Sequence, residues 1–195
     1  MIRHLSYLLL MLAAAPVAAQ DTLFCQELWL SRNTVMDRAG QCFRSALGQA
    51  VFDNSDCVDT EIRLNPLDAE IVRLAQEAEA RAGCAVDIEA NRLSLGALPF
   101  HARLMALFTV PVGADSEHGC SGHLGAPITL YAGISTNMTV LGRVEAGQTF
   151  TLSHGPLRGG WEYQEVFDTQ GTPVAHGWAQ NLPADMATIC ALIAG

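Results

Sequence analysis

Six cysteines, Cys25, Cys42, Cys57, Cys84, Cys120 and Cys190, constrain this chain more than any other feature. Their number is even, and all of them follow an apolar N-terminal stretch. In an exported chain such a set reads as a disulfide framework. None are spaced as Cys-x-x-Cys, which removes thioredoxin-like redox motifs, zinc ribbons and c-type haem attachment together. The expectation of export rests on the first residues. Arg3 gives a positive n-region, Leu5 to Ala15 is almost wholly apolar, and Val17-Ala18-Ala19 offers the small residues that signal peptidase inspects. A signal peptide over 1–19 is therefore expected, with a periplasmic or secreted mature chain. The apolar run is shorter than the roughly 20 residues that span a bilayer. The later stretch Leu93 to Val112 carries His101 and Arg103, which are costly at a bilayer centre. No membrane span is expected in the mature chain.

Charge narrows the partners. The chain has no lysine, and without Arg3 its arginines are outnumbered by 20 acidic residues. Such a surface repels a phosphate backbone and an anionic membrane, so no nucleic acid partner is expected. The missing lysine also removes a P-loop lysine, a Schiff-base lysine and a Ser-Lys dyad. Gly-x-Ser-x-Gly, His-Glu-x-x-His and Gly-x-Gly-x-x-Gly are absent. No catalytic residue, metal site or cofactor is read from the sequence.

Two regions differ in hydrophobic period. From Asp21 to Cys84 the period is helical. Phe24, Cys25, Leu28, Trp29, Val35, Met36 and Ala39 recur at three and four residues, with Asp21 or Thr22 as N-cap and Gly40 as the closing residue. Ser45 starts a short helix over Ala46 to Phe52. Asn65 caps a third helix with Pro66 at its first position, acidic Asp68 and Glu70 in its first turn, and Gly83 at its end. A first helix of this length spans about 24 Å, whereas a disulfide needs Cα atoms within about 7 Å. Cys25–Cys42 is thereby excluded and two connectivities remain. Cys42–Cys57 with Cys25–Cys84 is preferred, because its first bond closes a short local loop. Val86, Ile88, Leu93 and Leu95 alternate loosely, as a strand pair would. Gly113 to Gly125 reads as a connector.

From Ile128 the period is two. Strands are expected at Ile128–Tyr131, Thr139–Val144, Gln148–Ser153, Trp161–Phe167 and Val174–Gln180. Five short strands without helices suggest a small β-barrel, clipped by Cys120–Cys190. The fold class is α+β, divided as a helical disulfide domain over 20–90, a connector over 91–125 and a barrel over 126–190.

Two family resemblances rest on particular residues. Glu27-Leu28-Trp29-Leu30-Ser31-Arg32-Asn33, then Asp37-Arg38-Ala39-Gly40-Gln41-Cys42-Phe43, resembles the YARHG module of secreted bacterial proteins, with Ala39 where that pattern has histidine. The continuation Leu47 to Cys57 looks like an uncharacterised family of exported alphaproteobacterial proteins. That resemblance implies a helical, disulfide-containing extracytoplasmic module and no reaction. Leu130-Tyr131-Ala132-Gly133, Val140-Leu141-Gly142, Ala146-Gly147-Gln148, Gly160-Trp161-Glu162-Tyr163 and Gly177-Trp178-Ala179 are similar to bacterial SH3-like domains. Such domains commonly bind cell-wall peptides or proteins.

The candidate ligand-binding residues follow from this reading. Tyr131, Trp161, Tyr163 and Trp178 form either an aromatic groove or the core of the β unit. Arg32 and Arg38 suit an anionic ligand or an internal tie to acidic groups. His118-Gly119-Cys120-Ser121-Gly122-His123 has the residue types of a metal or nucleophile site, but Cys120 is better read as half of a disulfide. The function expected is a non-enzymatic exported module that engages a cell-wall peptide or glycan, or an envelope protein. The alternative is an envelope hydrolase with a site between the two domains.

Overall fold

The structure, a computed structural model, describes residues 22–58, 62–96, 98–101, 109–112, 118–155 and 159–194. The signal peptide expected over 1–19 lies outside them. The helices are α1 (Leu23–Arg38), α2 (Ala46–Val51), α3 (Pro66–Ala82) and α4 (Leu98–His101). The strands are β1 (Val110–Pro111), β2 (His118–His123), β3 (Ile128–Tyr131), β4 (Val140–Val144), β5 (Thr149–Leu152), β6 (His154–Gly155), β7 (Trp161–Phe167), β8 (Pro173–Gln180) and β9 (Cys190–Ala194).

Local signals set the helix ends. Thr22 Oγ1 accepts from the Cys25 N–H at 3.2 Å, which satisfies one of the N–H groups that a helix start leaves open. Asn65 Oδ1 accepts from both Leu67 and Asp68 N–H at 3.0 Å, and Pro66 follows where a missing N–H costs nothing. Gly83 closes α3 at φ 65°, a left-handed conformation that glycine adopts without a Cβ clash. Leu28 and Val35 of α1 meet Ile71, Ala75 and Ala78 of α3 in a closed apolar cluster. The two alanines let the helices approach closely, and the Cys25–Cys84 bond joins the start of one to the end of the other. Cys42–Cys57 closes the turn that carries α2. These are the two bonds preferred, of the two connectivities that helix length left open, because Cys42–Cys57 closes a short local loop.

Residues 86–95 do not form the expected strand pair. They run as turns and bends, and Val86, Leu93 and Leu95 pack against Trp29, Leu30 and Leu47. Alternation there reflects a segment covering helices, with no backbone ladder behind it.

The β unit is a seven-stranded antiparallel sheet in the order β4-β3-β8-β7-β5-β2-β9. All five strands expected from the sequence are in it. It is an open sheet, with β4 and β9 at its edges, and so it is not the closed SH3-like barrel expected. The reason lies in β2 and β9. Their pairing extends the sheet beyond β5, and Cys120–Cys190 links them within the ladder. β2 lies within the stretch expected to be a connector.

Alternation gives this sheet two faces. One carries Leu130, Phe150, Val166, Ala175 and Ala179 with the Cys120–Cys190 bond. The other carries Trp161, Tyr163 and Trp178. Gly177 lies between these layers where β8 crosses β3. A Cβ there would sit 2.9 Å from the Tyr131 carbonyl oxygen, so the close approach of the two strands requires glycine.

The helical unit meets the sheet through β1. Val110 is buried in the cluster of α1 and α3. On its other side β1 pairs with β6, Val110 opposite Gly155 and Pro111 opposite His154. Thr109 Oγ1 donates to the Gly155 carbonyl at 2.7 Å, and the Val112 N–H donates to the Ser153 carbonyl at 2.8 Å. This short ladder fixes where Ser153 and His154 sit.

Candidate functional site

Among the described residues two places carry chemistry. The first is buried at the seam between the units. Glu27 projects from α1, His154 from β6 and Glu165 from β7, and one donor atom from each lies within 4.8 Å of the others. His154 Nε2 is 3.7 Å from Glu27 Oε1, and His154 Nδ1 is 3.6 Å from Glu165 Oε1. The His154 side chain is fully buried, while Glu27 and Glu165 keep 19% and 13% exposure. Ser153 Oγ lies 2.9 Å from His154 Nδ1.

Strand alternation builds the surroundings. Glu165 stands opposite His176, and Tyr163 opposite Trp178, on the same face of β7 and β8. The Tyr163 ring meets the His154 ring edge-on at 4.5 Å, and its hydroxyl is 3.2 Å from His176 Nδ1. Phe100 of α4 stacks on His176 at 4.5 Å and covers it. Burial first, and then the negative charges of Glu165 and Glu27, hold the Tyr163 hydroxyl well above its usual range. The phenol therefore stays protonated.

The second place is an open groove of 420 Å³ in the β unit, whose lining includes Pro127, Tyr131, Thr136, Gln180, Asn181 and Pro183. Among the described residues no Asp, Glu or Arg lines it, although the whole chain has a formal net charge of −9. Asn181 holds a left-handed backbone at φ 54°, which asparagine tolerates better than most residues, and its N–H donates to the Gly160 carbonyl at 2.8 Å. The Tyr131 ring is held from behind by Trp161, edge-on at 5.7 Å. His123 closes one end. Its Nδ1 lies 3.2 Å from the Ile189 carbonyl and its Nε2 2.9 Å from the Ala126 carbonyl.

The residues singled out from sequence fall in different places. Trp161, Tyr163 and Trp178 are 7%, 1% and 0% exposed and form one buried cluster. Of the four aromatics only half-buried Tyr131 reaches the groove. Arg32 pairs with Glu79 at 3.2 Å and Arg38 with Asp68 at 3.4 Å, so both tie α1 to α3. Asn33 donates to the Trp29 carbonyl at 2.8 Å within α1. Cys120 is disulfide-bonded and buried, as the disulfide reading has it, and the flanking histidines separate, His118 exposed and His123 buried. Glu27, His154 and Glu165 were not singled out. They are scattered along the chain and carry no local motif; β1 joins β6 to α1, and packing of β6 on β7 adds Glu165.

Fold and disulfides together define a class: an extracytoplasmic α+β protein of two stapled units, with no helix among the described residues long and apolar enough to cross a membrane. The chain belongs to the family described as Domain of unknown function (DUF4453), whose family model matches residues 83–195. A YARHG domain matches residues 3–80. No curated protein and no solved structure matches the chain.

Proposed function

We propose that this protein is a non-catalytic module of the cell envelope, periplasmic or secreted after loss of 1–19, that binds a neutral stretch of cell-wall peptide or glycan in the Tyr131 groove. The observation that carries this reading is the uncharged lining of an open groove on an acidic protein. Tyr131 offers a flat ring held in place by Trp161, and Thr136, Gln180 and Asn181 offer hydroxyl and amide groups. A flat apolar surface with a few polar groups suits a sugar ring or a peptide backbone. The sequence resemblance of 126–183 to SH3-like domains favours the same reading, although the sheet is open.

The test is saturable binding of the full chain to purified sacculi and to soluble muropeptides, followed by calorimetry. Tyr131→Ala is expected to weaken binding about tenfold, the scale of one lost aromatic contact, with an unchanged circular dichroism spectrum. Absence of saturable binding, or wild-type affinity in a folded Tyr131→Ala variant, would contradict the reading. Trp161 and Trp178 are unsuitable for this test, because their removal empties the core.

A second reading, an envelope hydrolase with a site between the units, is favoured by the convergence of Glu27, His154 and Glu165 at that seam. It stands behind the first because His154 is fully buried and neither its ring nor the two carboxylates line the groove.

A further inference from the structure

We propose that Glu27, His154 and Glu165 bind one first-row divalent transition ion of the Zn²⁺ class, which joins the helical unit to the sheet. The spacing is the first argument. At 3.6–3.7 Å the carboxylate oxygens are too far from the ring nitrogens to accept a hydrogen bond directly. With metal–donor distances of about 2.0–2.2 Å, neighbouring donors in a tetrahedral shell stand about 3.3–3.6 Å apart. His154 Nε2 and Glu27 Oε1 nearly have that spacing, whereas the 3.6 Å contact of Glu165 is with Nδ1, the other ring nitrogen; Glu165 enters through the 4.8 Å limit on the three donor atoms and has the larger closure to make.

Charge is the second argument. Two carboxylates and a neutral imidazole sum to two negative charges, which a divalent ion brings to zero. The donor set of one imidazole nitrogen and two carboxylate oxygens suits Zn²⁺ or Mn²⁺ better than a soft monovalent ion.

The third argument is the outer shell. A metal-binding histidine usually gives its other ring N–H to a fixed acceptor, which sets tautomer and ring orientation. Ser153 Oγ stands 2.9 Å from His154 Nδ1 and fills that place when Nε2 faces Glu27 and the ion. The backbone of both residues is pinned by β1, with Val112 N–H on the Ser153 carbonyl and Pro111 opposite His154. The ligands are therefore mounted on paired strands and one helix, not on a free loop.

Placement gives the site its consequence. Glu27 belongs to the helical unit, and the two other ligands belong to the β unit. Bound metal stabilises the contact between them, in the way that any ligand of the native state alone adds stability by mass action. Loss of the ion loosens the seam and leaves each disulfide-stapled unit intact.

The experiment uses the full mature chain with its disulfides intact, stripped with a chelator. Zn²⁺ and Co²⁺ are titrated separately, with calorimetry for stoichiometry and the ring ¹⁵N resonances of all histidines as the site readout. One ion per chain, with the His154 ring resonances shifted and those of His118, His123 and His176 unmoved as ligands, supports the site. Glu27→Gln and Glu165→Gln should each abolish saturable binding. Ser153→Ala should weaken it about 10–100-fold, the usual scale for an outer-shell partner. The titration of the unaltered chain decides the matter even where a variant does not fold. Absence of saturation at millimolar Zn²⁺, binding centred on His118, or unchanged affinity in folded Glu27→Gln would overturn the proposal.

Discussion

The two faces of β7 and β8 bury their residues in opposite ways. One is aliphatic: Val166, Ala175 and Ala179 meet Leu130, Phe150 and the Cys120–Cys190 bond. The other carries Tyr163, Glu165, His176 and Trp178, and is met by Glu27 of the helical unit and Phe100 of α4. Apolar burial is non-directional and roughly proportional to area, so the first face needs only to fill space. Polar groups inside a protein stabilise only when geometry is met. A seam designed for adhesion alone has no need of two carboxylates around a buried histidine. The contrast assigns stability to one face and selectivity to the other, with the strand period separating them residue by residue.

The largest expected effect separates the faces covalently. Replacing Cys120 and Cys190 together by alanine opens a link of 70 residues, and by chain entropy should cost about 4 kcal/mol. Urea unfolding of the double variant measures it. Zn²⁺ affinity at the seam should change little once the variant is folded, and a large drop in affinity would erase the distinction between the faces.

A smaller effect concerns Gln164, a polar residue on the aliphatic side. Gln164 is fully buried, and neither amide atom has a hydrogen-bond partner among the described residues. An apolar residue of similar shape removes an unsatisfied group. Gln164→Met should therefore be neutral or stabilising by about 1 kcal/mol, read as a shift in denaturation midpoint. A clear loss of stability would show that this face also depends on a polar partner.

The smallest effect is electrostatic. Burial raises the Glu162 carboxyl above its ordinary value. The folded chain then holds that proton to higher pH than the unfolded chain does, so this group's contribution to stability falls as pH rises from the unfolded value through the raised folded one. Glu162→Gln should flatten stability as pH rises from the ordinary glutamate range, about 4.3, into the range just above it. A profile identical to that of the unaltered chain would contradict the direction.

Much of this was legible in the sequence because it is local. Thr22, Ser45 and Asn65 cap their helices, Gly83 ends α3, and five strands lie where alternation begins at Ile128. What could not be read is non-local. β2 runs His-Gly-Cys-Ser-Gly-His, poor in the branched and aromatic residues that favour strands. It is a strand because β5 and β9 flank it, and that same pairing keeps the sheet open. β1 and β6 are two residues each and carry no period at all. The seam inherits this difficulty: Glu27 reads as a surface helix position and Glu165 as one member of an acidic, aromatic strand. The aromatics were conspicuous for the opposite reason. Trp161, Tyr163 and Trp178 stand out by type, yet alternation alone cannot say whether the face they share meets solvent or another unit.

The most direct measurement is a crystal of the mature chain grown with Zn²⁺ and recorded on both sides of the zinc absorption edge. The account predicts one strong anomalous peak per chain, about 2.0–2.2 Å from Nε2 of His154 and from a carboxylate oxygen of each of Glu27 and Glu165. A seam without a peak at saturating zinc, or a peak only at exposed His118, would contradict it.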